Sequence, residues 1–246
     1  MDSILSKPTQ HAFLKVLAVW LTADVGLTFL HIGLRGLVGL DMINEVPSLF
    51  SLFGDHSSLS EWFIYAKWTF TVGLLFLTWK NGGQILFLCL AVVFTIVLVD
   101  DFGQVHERAG TLLSTQFPAT RPFGVPIHQF GELVAWLALS VPVIGLFAWG
   151  CFTAEGWARR CGFIFLGLFA GLIFFAIGID TFGVLIGDPG YWLSYALSTT
   201  ECVGEMVMAS GIASFATAVW LESKTSDVRS GLDWKTSRLM PGGGIH

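Results

Sequence analysis

An apolar run with the sequence ILFLCLAVVFTIVLV, residues 85–99, leads directly into the polar string DDFGQVHE, residues 100–107. A helix of roughly 20 mostly apolar residues is long enough to cross the hydrocarbon core of a bilayer. Acidic and imidazole groups at the edge of hydrocarbon are costly unless they are paired or functional. The run therefore predicts a membrane-spanning helix, and the string predicts a site at its end.

The composition extends this interpretation to the whole chain. Hydrophobic residues make up 54% of the 246 residues and charged residues only 13%, and the mean hydropathy of +0.70 exceeds what a soluble core of this length needs. The sequence predicts an all-α fold, a polytopic transmembrane helical bundle in one domain over residues 1–221, followed by a polar cytoplasmic tail over 222–246. The six predicted spans are residues 12–39, 62–79, 84–104, 129–152, 161–186 and 191–221.

The basic residues are distributed unevenly around these spans, and this sets the orientation. If the spans alternate, Arg35, Arg108 and Arg121 fall on one side. The basic residues on the other side are Lys7, Lys15, Lys80, Arg159, Arg160, Lys224, Arg229, Lys235 and Arg238. Because cytoplasmic loops carry the excess of Lys and Arg, both termini are expected in the cytoplasm. The chain is expected to be a multi-pass protein of a bacterial inner membrane.

Several classes of function have no support in the sequence. A net charge of −5 disfavours a nucleic-acid partner, and no Walker, dinucleotide-binding or paired CxxC pattern occurs. The cysteines lie in or beside predicted helices without framework spacing, so no disulfide is expected. The partner that the sequence does predict is the lipid bilayer.

Two outer loops are expected between the spans. The first, residues 41–61, contains an apolar part over 46–53 that can lie along the membrane interface as a lid. The second, residues 110–126, contains three prolines and two glycines. That composition is typical of an ordered loop rather than a helix.

Polar side chains on five predicted helices reach one depth at the outer end of the bundle. The last helix, for example, carries its two acids roughly 15–21 Å from Tyr191, at about 1.5 Å per residue. The groups at this depth are Asp100, His106 and Glu107 on the third helix, His128 and Glu132 on the fourth, Asp180 on the fifth, Glu201 and Glu205 on the last, and His31 and Arg35 on the first. We therefore expect an outward-facing pocket of carboxylates and histidines.

The spacing of these groups predicts what the pocket binds. At about 100° per residue, Asp100 and Glu107 share one helix face, and Glu201 and Glu205 form an i, i+4 pair. Like charges in a low dielectric persist only with shared protons, a cation, or an opposing Lys or Arg, and a divalent metal satisfies all of them. The predicted metal ligands are Asp100, His106, Glu107 and Glu201. Oxygen-rich ligands with imidazole suit zinc, manganese or iron.

Catalytic and supporting roles follow from the same prediction. Glu205 and Asp180 are expected as general bases if the metal activates a bound water. The candidates for a supporting role are Asp101, Glu132, His128, His31, Arg35 and Lys67. Structural alternatives exist for each: an acid near water is often an interfacial residue, a lone histidine is more often hydrogen-bonded than a ligand, and Lys67 either snorkels or neutralises the acids.

The string at residues 100–107 resembles the D-E-x-x-x-x-H-E signature of a widespread group of uncharacterised bacterial polytopic membrane proteins. The sequence TECVGEM, residues 200–206, is similar to the E-E-x-x-x-E-M pattern in the last helix of that group, and residues 45–49 and 58–63 are similar to its outer-loop feature. The resemblance spans roughly residues 24–210, with Asp101 and Thr200 each standing where the group has Glu. It implies a shared site and names no reaction.

Three functions are consistent with these residues. The first is a metal-dependent hydrolase of a lipid-like substrate, because the ester or amide bond of an outer-leaflet lipid lies at this depth. The second is proton or cation translocation. It requires polar groups toward the cytoplasm, where the helices offer few and Asp24 is the only deep acid outside the cluster. The third is an accessory subunit of a larger membrane complex, in which the acids serve helix packing.

Overall fold

The computed structural model describes residues 4–53, 58–82, 84–118, 121–186 and 190–238, and within them it is helical with no strand. The all-α prediction is therefore confirmed. The α-helices are α1 Lys7–Gly39, α2 Leu59–Gly82, α3 Ile85–Gly103, α4 Val105–Gln116, α5 Ile127–Thr153, α6 Gly156–Ile173, α7 Asp180–Ile186 and α8 Tyr191–Arg238. A π-helical segment, Phe174–Ile179, joins α6 to α7 without a break.

Five helical segments of the described chain are long and apolar enough to cross a membrane: Lys7–Gly39, Ile85–Gly103, Ile127–Thr153, Gly156–Ile186 and Tyr191–Thr225. Each contains, or closely matches, a predicted span. The sixth predicted span, residues 62–79, lies within the 24-residue helix α2, which is less apolar because it carries Lys67 and three threonines. The apolar helices are thus compatible with an integral membrane protein.

The helix that was predicted to continue through residues 100–107 is broken at Gln104. This residue has a φ of 49° and a left-handed backbone, so α3 ends at Gly103 and α4 begins at Val105 in a new direction. The prediction that Asp100 and Glu107 share one helix face is therefore wrong, because they belong to different helices. Asp100 instead accepts a hydrogen bond from the backbone N–H of His106, 3.2 Å away, one of the free donors at the start of α4.

The prediction of a loop from residue 110 is also wrong, because α4 is helical as far as Gln116. Gly110 does not interrupt this helix; it allows α4 to pack closely on α5. A Cβ atom on Gly110 would lie 2.7 Å from the carbonyl oxygen of His128, and one on Gly131 would lie 2.8 Å from the Cα of Gly110. The helix ends before the three prolines, at which the chain turns back into α5.

Helix α8 lies at the centre of the bundle and packs against α1, α2 and α6. Its contact face is built from small residues that are fully buried, which lets neighbouring helices approach closely. These residues include Ala209, Ala213, Ala216 and Ala218. The helix continues past the predicted boundary near residue 221 as far as Arg238. Just beyond that boundary, Glu222 accepts hydrogen bonds from the backbone N–H and hydroxyl of Ser6.

Candidate functional site

A cavity of about 380 Å³ opens between helices α2 to α8, at the end of the bundle that we predict to be the outer one. We call it the acidic pocket. The carboxylate residues that line it are Glu61, Asp101, Glu107, Glu132, Asp180, Glu201 and Glu205, and His106 lies among them. None of the described residues that line this pocket is Lys or Arg. The fold therefore brings together acids from six of the helices that surround the cavity, and α6 contributes only apolar side chains.

Glu201 and Glu205 project from α8 into the pocket one helical turn apart. In the described part of the chain, neither carboxylate makes a hydrogen bond or an ion pair, and each has other carboxylates for neighbours. Gly204, between them, lies against the ring of Phe175 in the π-helical segment, and a Cβ atom there would overlap that ring. The turn of α8 that carries both acids therefore packs tightly against the π-helical segment.

The π-helical segment also positions Asp180. It ends directly before this residue, where the chain resumes as α7 and the carboxylate faces the pocket. Asp180 accepts a hydrogen bond from the amide of Gln129 on α5, which fixes the carboxylate against a second helix. Single π-helical turns inside α-helices are rare and occur frequently at functional sites.

Asp101 is held from α2. Its carboxylate accepts a hydrogen bond from the indole N–H of Trp68 at 3.0 Å, and its backbone carbonyl accepts one from the hydroxyl of Tyr65 at 3.4 Å. Both aromatic residues also line the pocket. The carboxylate of Asp101 is therefore held by a hydrogen bond, whereas the two carboxylates of α8 have none in the described part of the chain.

His106 joins the pocket to Asp100. Its Nδ1 lies 3.0 Å from Oδ2 of Asp100, and its ring lies 5.0 Å from that of Trp136. Burial lowers the pKa of His106, but the hydrogen bond to Asp100 and the charges of Asp100, Glu107 and Asp101 outweigh it, so the pKa is raised overall. His106 is therefore drawn toward its charged form by the acids around it.

Five predicted site residues lie outside the pocket lining. Asp100 is buried and hydrogen-bonds His106, and His128 pairs with the pocket residue Glu132 at 3.3 Å. His31 and Arg35 line a second cavity of about 780 Å³, in which Arg35 donates to the hydroxyl of Tyr191. Lys67 does not reach the acids of the pocket; it forms an ion pair with Asp24.

Other residues of the pocket were missed as site residues. Glu61 lies in the first turn of α2, and Trp68 follows it by seven residues, which places both on one helix face. Trp136 follows Glu132 by four residues and also lines the pocket. These offsets are visible in the sequence, but tryptophans near the ends of membrane-spanning helices are commonly membrane-interface residues, so the offsets alone do not indicate a site.

A family model described as Domain of unknown function (DUF8692) matches residues 12–221. The chain belongs to this family. The match covers the helical bundle from α1 to residue 221 of α8, so the acids of the DUF8692 pocket all lie within it. Membership agrees with the resemblance to an uncharacterised protein group. No curated protein and no solved structure matches this chain.

The donors of this DUF8692 pocket do not form a preorganised metal site. Among the described residues, no group of three or more His, Cys, Asp or Glu side chains is arranged to hold one metal ion. The carboxylates are instead distributed around a cavity large enough for several atoms. The pocket supplies many oxygen donors to a positively charged ligand, without the convergence that a closed metal site requires.

Proposed function

We propose that this DUF8692 protein binds a cation in the acidic pocket, taken up at the outer face of a bacterial inner membrane. The observation that carries the proposal is that seven carboxylate residues line one cavity, and that no Lys or Arg lines it among the residues that the structure describes. Such a group of acids is stable only if protons or a cation offset the mutual repulsion.

The two acids of α8 support a cation rather than internal pairing. Glu201 and Glu205 have no hydrogen-bonding or ion-pair partner in the described chain, so their oxygens are available to a ligand. A cleft lined by one sign of charge also concentrates field lines and raises the local concentration of the opposite ion. The pocket therefore attracts cations and retains free donors for them.

Zinc, manganese and iron suit this donor chemistry of oxygens with one imidazole. The described side chains do not converge as a metal site does. Hydrolysis of a lipid-like substrate in this pocket would therefore depend on metal binding being shown first. The aromatic walls formed by Tyr65, Trp68 and Trp136 also suit an organic ammonium group. Both kinds of cation belong in the test.

The test is a titration of the purified protein in detergent with zinc, manganese and the polyamine spermidine. Calorimetry and tryptophan fluorescence measure the binding of each cation. Trp68 and Trp136 line the pocket and report directly on its occupancy. The variant Glu201→Gln/Glu205→Gln is expected to lose about tenfold or more in affinity, which corresponds to about 1.4 kcal/mol.

The matched control is Glu155→Gln, an exposed glutamate before α6 at the opposite end of the bundle. It removes one carboxylate without touching the pocket and is expected to bind cations as the wild type does. A wild-type protein that binds none of the three cations, or a double variant that binds them as tightly as the wild type, would contradict the proposal.

A further inference from the structure

A second polar centre lies deeper in the bundle and takes no part in the acidic pocket. The ammonium group of Lys67 donates to Oδ1 of Asp24 at 2.5 Å, and the hydroxyl of Ser210 donates to Oδ2 of the same carboxylate at 2.5 Å. All three residues are buried, with 0%, 1% and 0% of their surface exposed. We call this group the ion-pair centre.

The ion-pair centre lies far from either end of its helices. Lys67 is about 12 Å along α2 from Leu59, and Asp24 is about 22 Å along α1 from Gly39. Burying two charges costs several kcal/mol per ion before their attraction is counted. Ionisable pairs within membrane-spanning helices commonly mark proton or ion pathways.

The outer side of the centre touches the floor of the acidic pocket. The carbonyl of Met206 accepts a second hydrogen bond from Lys67 at 3.1 Å, and Met206 also lines the pocket. Trp68, the next residue after Lys67, lines the pocket and holds Asp101. The ion-pair centre is therefore separated from the pocket by one layer of protein.

The opposite side of the centre continues as buried hydroxyl groups between α2 and α8. Thr71 lies one turn beyond Lys67, is fully buried, and has no hydrogen-bond partner for its hydroxyl oxygen within the described chain. Ser214 lies one turn beyond Ser210, is fully buried, and donates to the Ser210 carbonyl. Thr78 and Thr217 extend the same two helices in the same direction and are also buried.

These contacts form a polar seam through helices whose sequence suggested few polar groups in this half. The hydroxyls of Ser214, Thr217 and Thr78 donate to backbone carbonyls of their own helices, which leaves their oxygen lone pairs free to accept hydrogen bonds. An unpartnered buried hydroxyl such as Thr71 is uncommon, because each such group costs free energy. The hydroxyl groups of the seam follow α2 and α8 from the ion-pair centre toward the end of the bundle opposite the pocket.

We propose that the ion-pair centre transfers protons between the acidic pocket and the opposite end of the bundle. Lys67 gives one proton from Nζ to Asp24, which leaves a neutral amine and a neutral carboxylic acid. The amine accepts a proton from the pocket side. After the Ser210 hydroxyl rotates, its oxygen takes the proton of the Asp24 acid while its own proton passes to the next hydroxyl of the seam, that of Ser214, and from there toward water at the opposite end of the bundle. Each step breaks one N–H or O–H bond and forms another, so charge and atoms balance. The proposal goes beyond cation binding and does not require it.

The test uses the full-length protein in lipid vesicles that contain a pH-sensitive dye, with a potassium diffusion potential to drive protons inward. The wild type is expected to acidify the vesicles faster than protein-free vesicles. Asp24→Asn and Lys67→Met are each expected to reduce this rate at least tenfold. The control Thr22→Val removes an exposed hydroxyl on the same helix as Asp24 and is expected to retain the wild-type rate.

Each single variant leaves a buried charge or polar group unpaired, so folding must be controlled. Asp24→Asn/Lys67→Gln removes both titratable groups and keeps their hydrogen-bonding capacity, and Thr71→Val removes one hydroxyl of the seam while keeping its shape. Both are expected to lower the rate in monodisperse protein. If the double variant aggregates, Thr71→Val decides the question, and an unchanged rate there overturns the proposal.

Two results separate this inference from the proposed function. Wild-type protein that binds cations but moves no more protons than empty vesicles overturns the proton-transfer proposal alone. Wild-type protein that moves protons but binds none of the cations leaves it standing and contradicts only the function proposed for the pocket. A folded double variant that conducts as the wild type does overturns the assignment to the ion-pair centre.

Discussion

Asp100 and Asp101 are neighbours in the sequence but have different tasks. Asp100 is 1% exposed and binds both the backbone N–H and the ring of His106. Asp101 accepts from Trp68 and faces the acidic pocket. The first acid therefore holds the start of α4 in place, and the second belongs to the ligand-binding surface.

The pairing of His106 with Asp100 predicts a pH-dependent contribution to stability. The raised pKa of His106 in the folded protein means that this contribution is fully present below its ordinary value of 6.5 and is lost as the pH rises through the raised value. In Asp100→Asn the bond loses its charge, so we expect a lower melting temperature at acidic pH and a smaller change with pH. Melting temperatures of the detergent-solubilised protein across this range provide the measurement.

The control for this prediction is His11→Gln, an exposed histidine at the other end of the bundle. It removes one titratable imidazole and is expected to leave the pH dependence of the melting temperature unchanged. An Asp100→Asn variant with the full wild-type pH dependence would show that a residue other than Asp100 stabilises the charged form of His106.

The contact between α8 and the π-helical segment determines where the acids of α8 stand. We predict that Gly204→Ala forces Phe175 to move, because the added Cβ would overlap its ring. Overpacking of this kind costs about 1–3 kcal/mol. We expect a lower melting temperature and weaker cation binding, since Glu205 directly follows the altered position.

Gly145→Ala is the matched control, because a Cβ atom at this exposed helical glycine has no neighbour within 4 Å. It is expected to leave stability unchanged or to raise it by about 0.5–1 kcal/mol, the usual gain from replacing glycine in a helix. Equal melting temperatures and cation affinities for Gly204→Ala and the wild type would show that the π-helical segment adapts without cost.

The elements that hydropathy defines were predictable, and the elements that single residues define were not. Long apolar runs led to helices near the expected bounds, because a membrane span has few other conformations. The break at Gln104 was missed because a positive φ is uncommon for a residue other than glycine. The neighbouring Gly103 was the more expected place for such a backbone. Helix α4 was missed because Gly110 was interpreted as a loop residue, when it is a contact point with α5.

The sequence predicted at which level of the bundle the site residues lie, but not which of them contact one another. Residues at one level along five predicted helices can be recognised from their distance to the helix ends, and seven predicted site residues do line the pocket. Which helices are neighbours is a tertiary property. Asp24, His31 and Arg35 share one face of α1, yet they serve two different places, because α1 packs on α8 along its length and meets Lys67 only at Asp24.

Across the whole molecule, α8 connects the features described above. Its N-terminal part carries the two acids of the pocket, the following turns supply Met206 and Ser210 to the ion-pair centre, and the turns after those carry buried hydroxyls of the seam. Further along the helix, Glu222 accepts hydrogen bonds from Ser6 and holds the start of the described chain. A cation that repositions the acids of α8 therefore acts on the helix that also holds the ion-pair centre.

The balance between function and stability leads to a last prediction, which concerns the unfolding of the whole bundle. Glu201 and Glu205 repel the other acids of the pocket, so without a cation Glu201→Gln/Glu205→Gln is expected to melt at a higher temperature than the wild type. A cation that binds the folded state adds about 2.7 kcal/mol at a concentration of about 100 times its Kd. The wild type should therefore gain stability on titration, and the double variant should gain much less.

Melting curves of both proteins with and without the cation identified by calorimetry provide the measurement, with Glu155→Gln as the control that follows the wild type in both conditions. The double variant must show both changes: a higher melting temperature than the wild type without cation, and a smaller increase when the cation is added. Both follow from the same two substitutions, since these relieve the repulsion and also remove two ligands. A double variant that melts below the wild type in the absence of any cation would show that the two acids stabilise the fold by themselves. The pocket would then need no ligand to offset its charge.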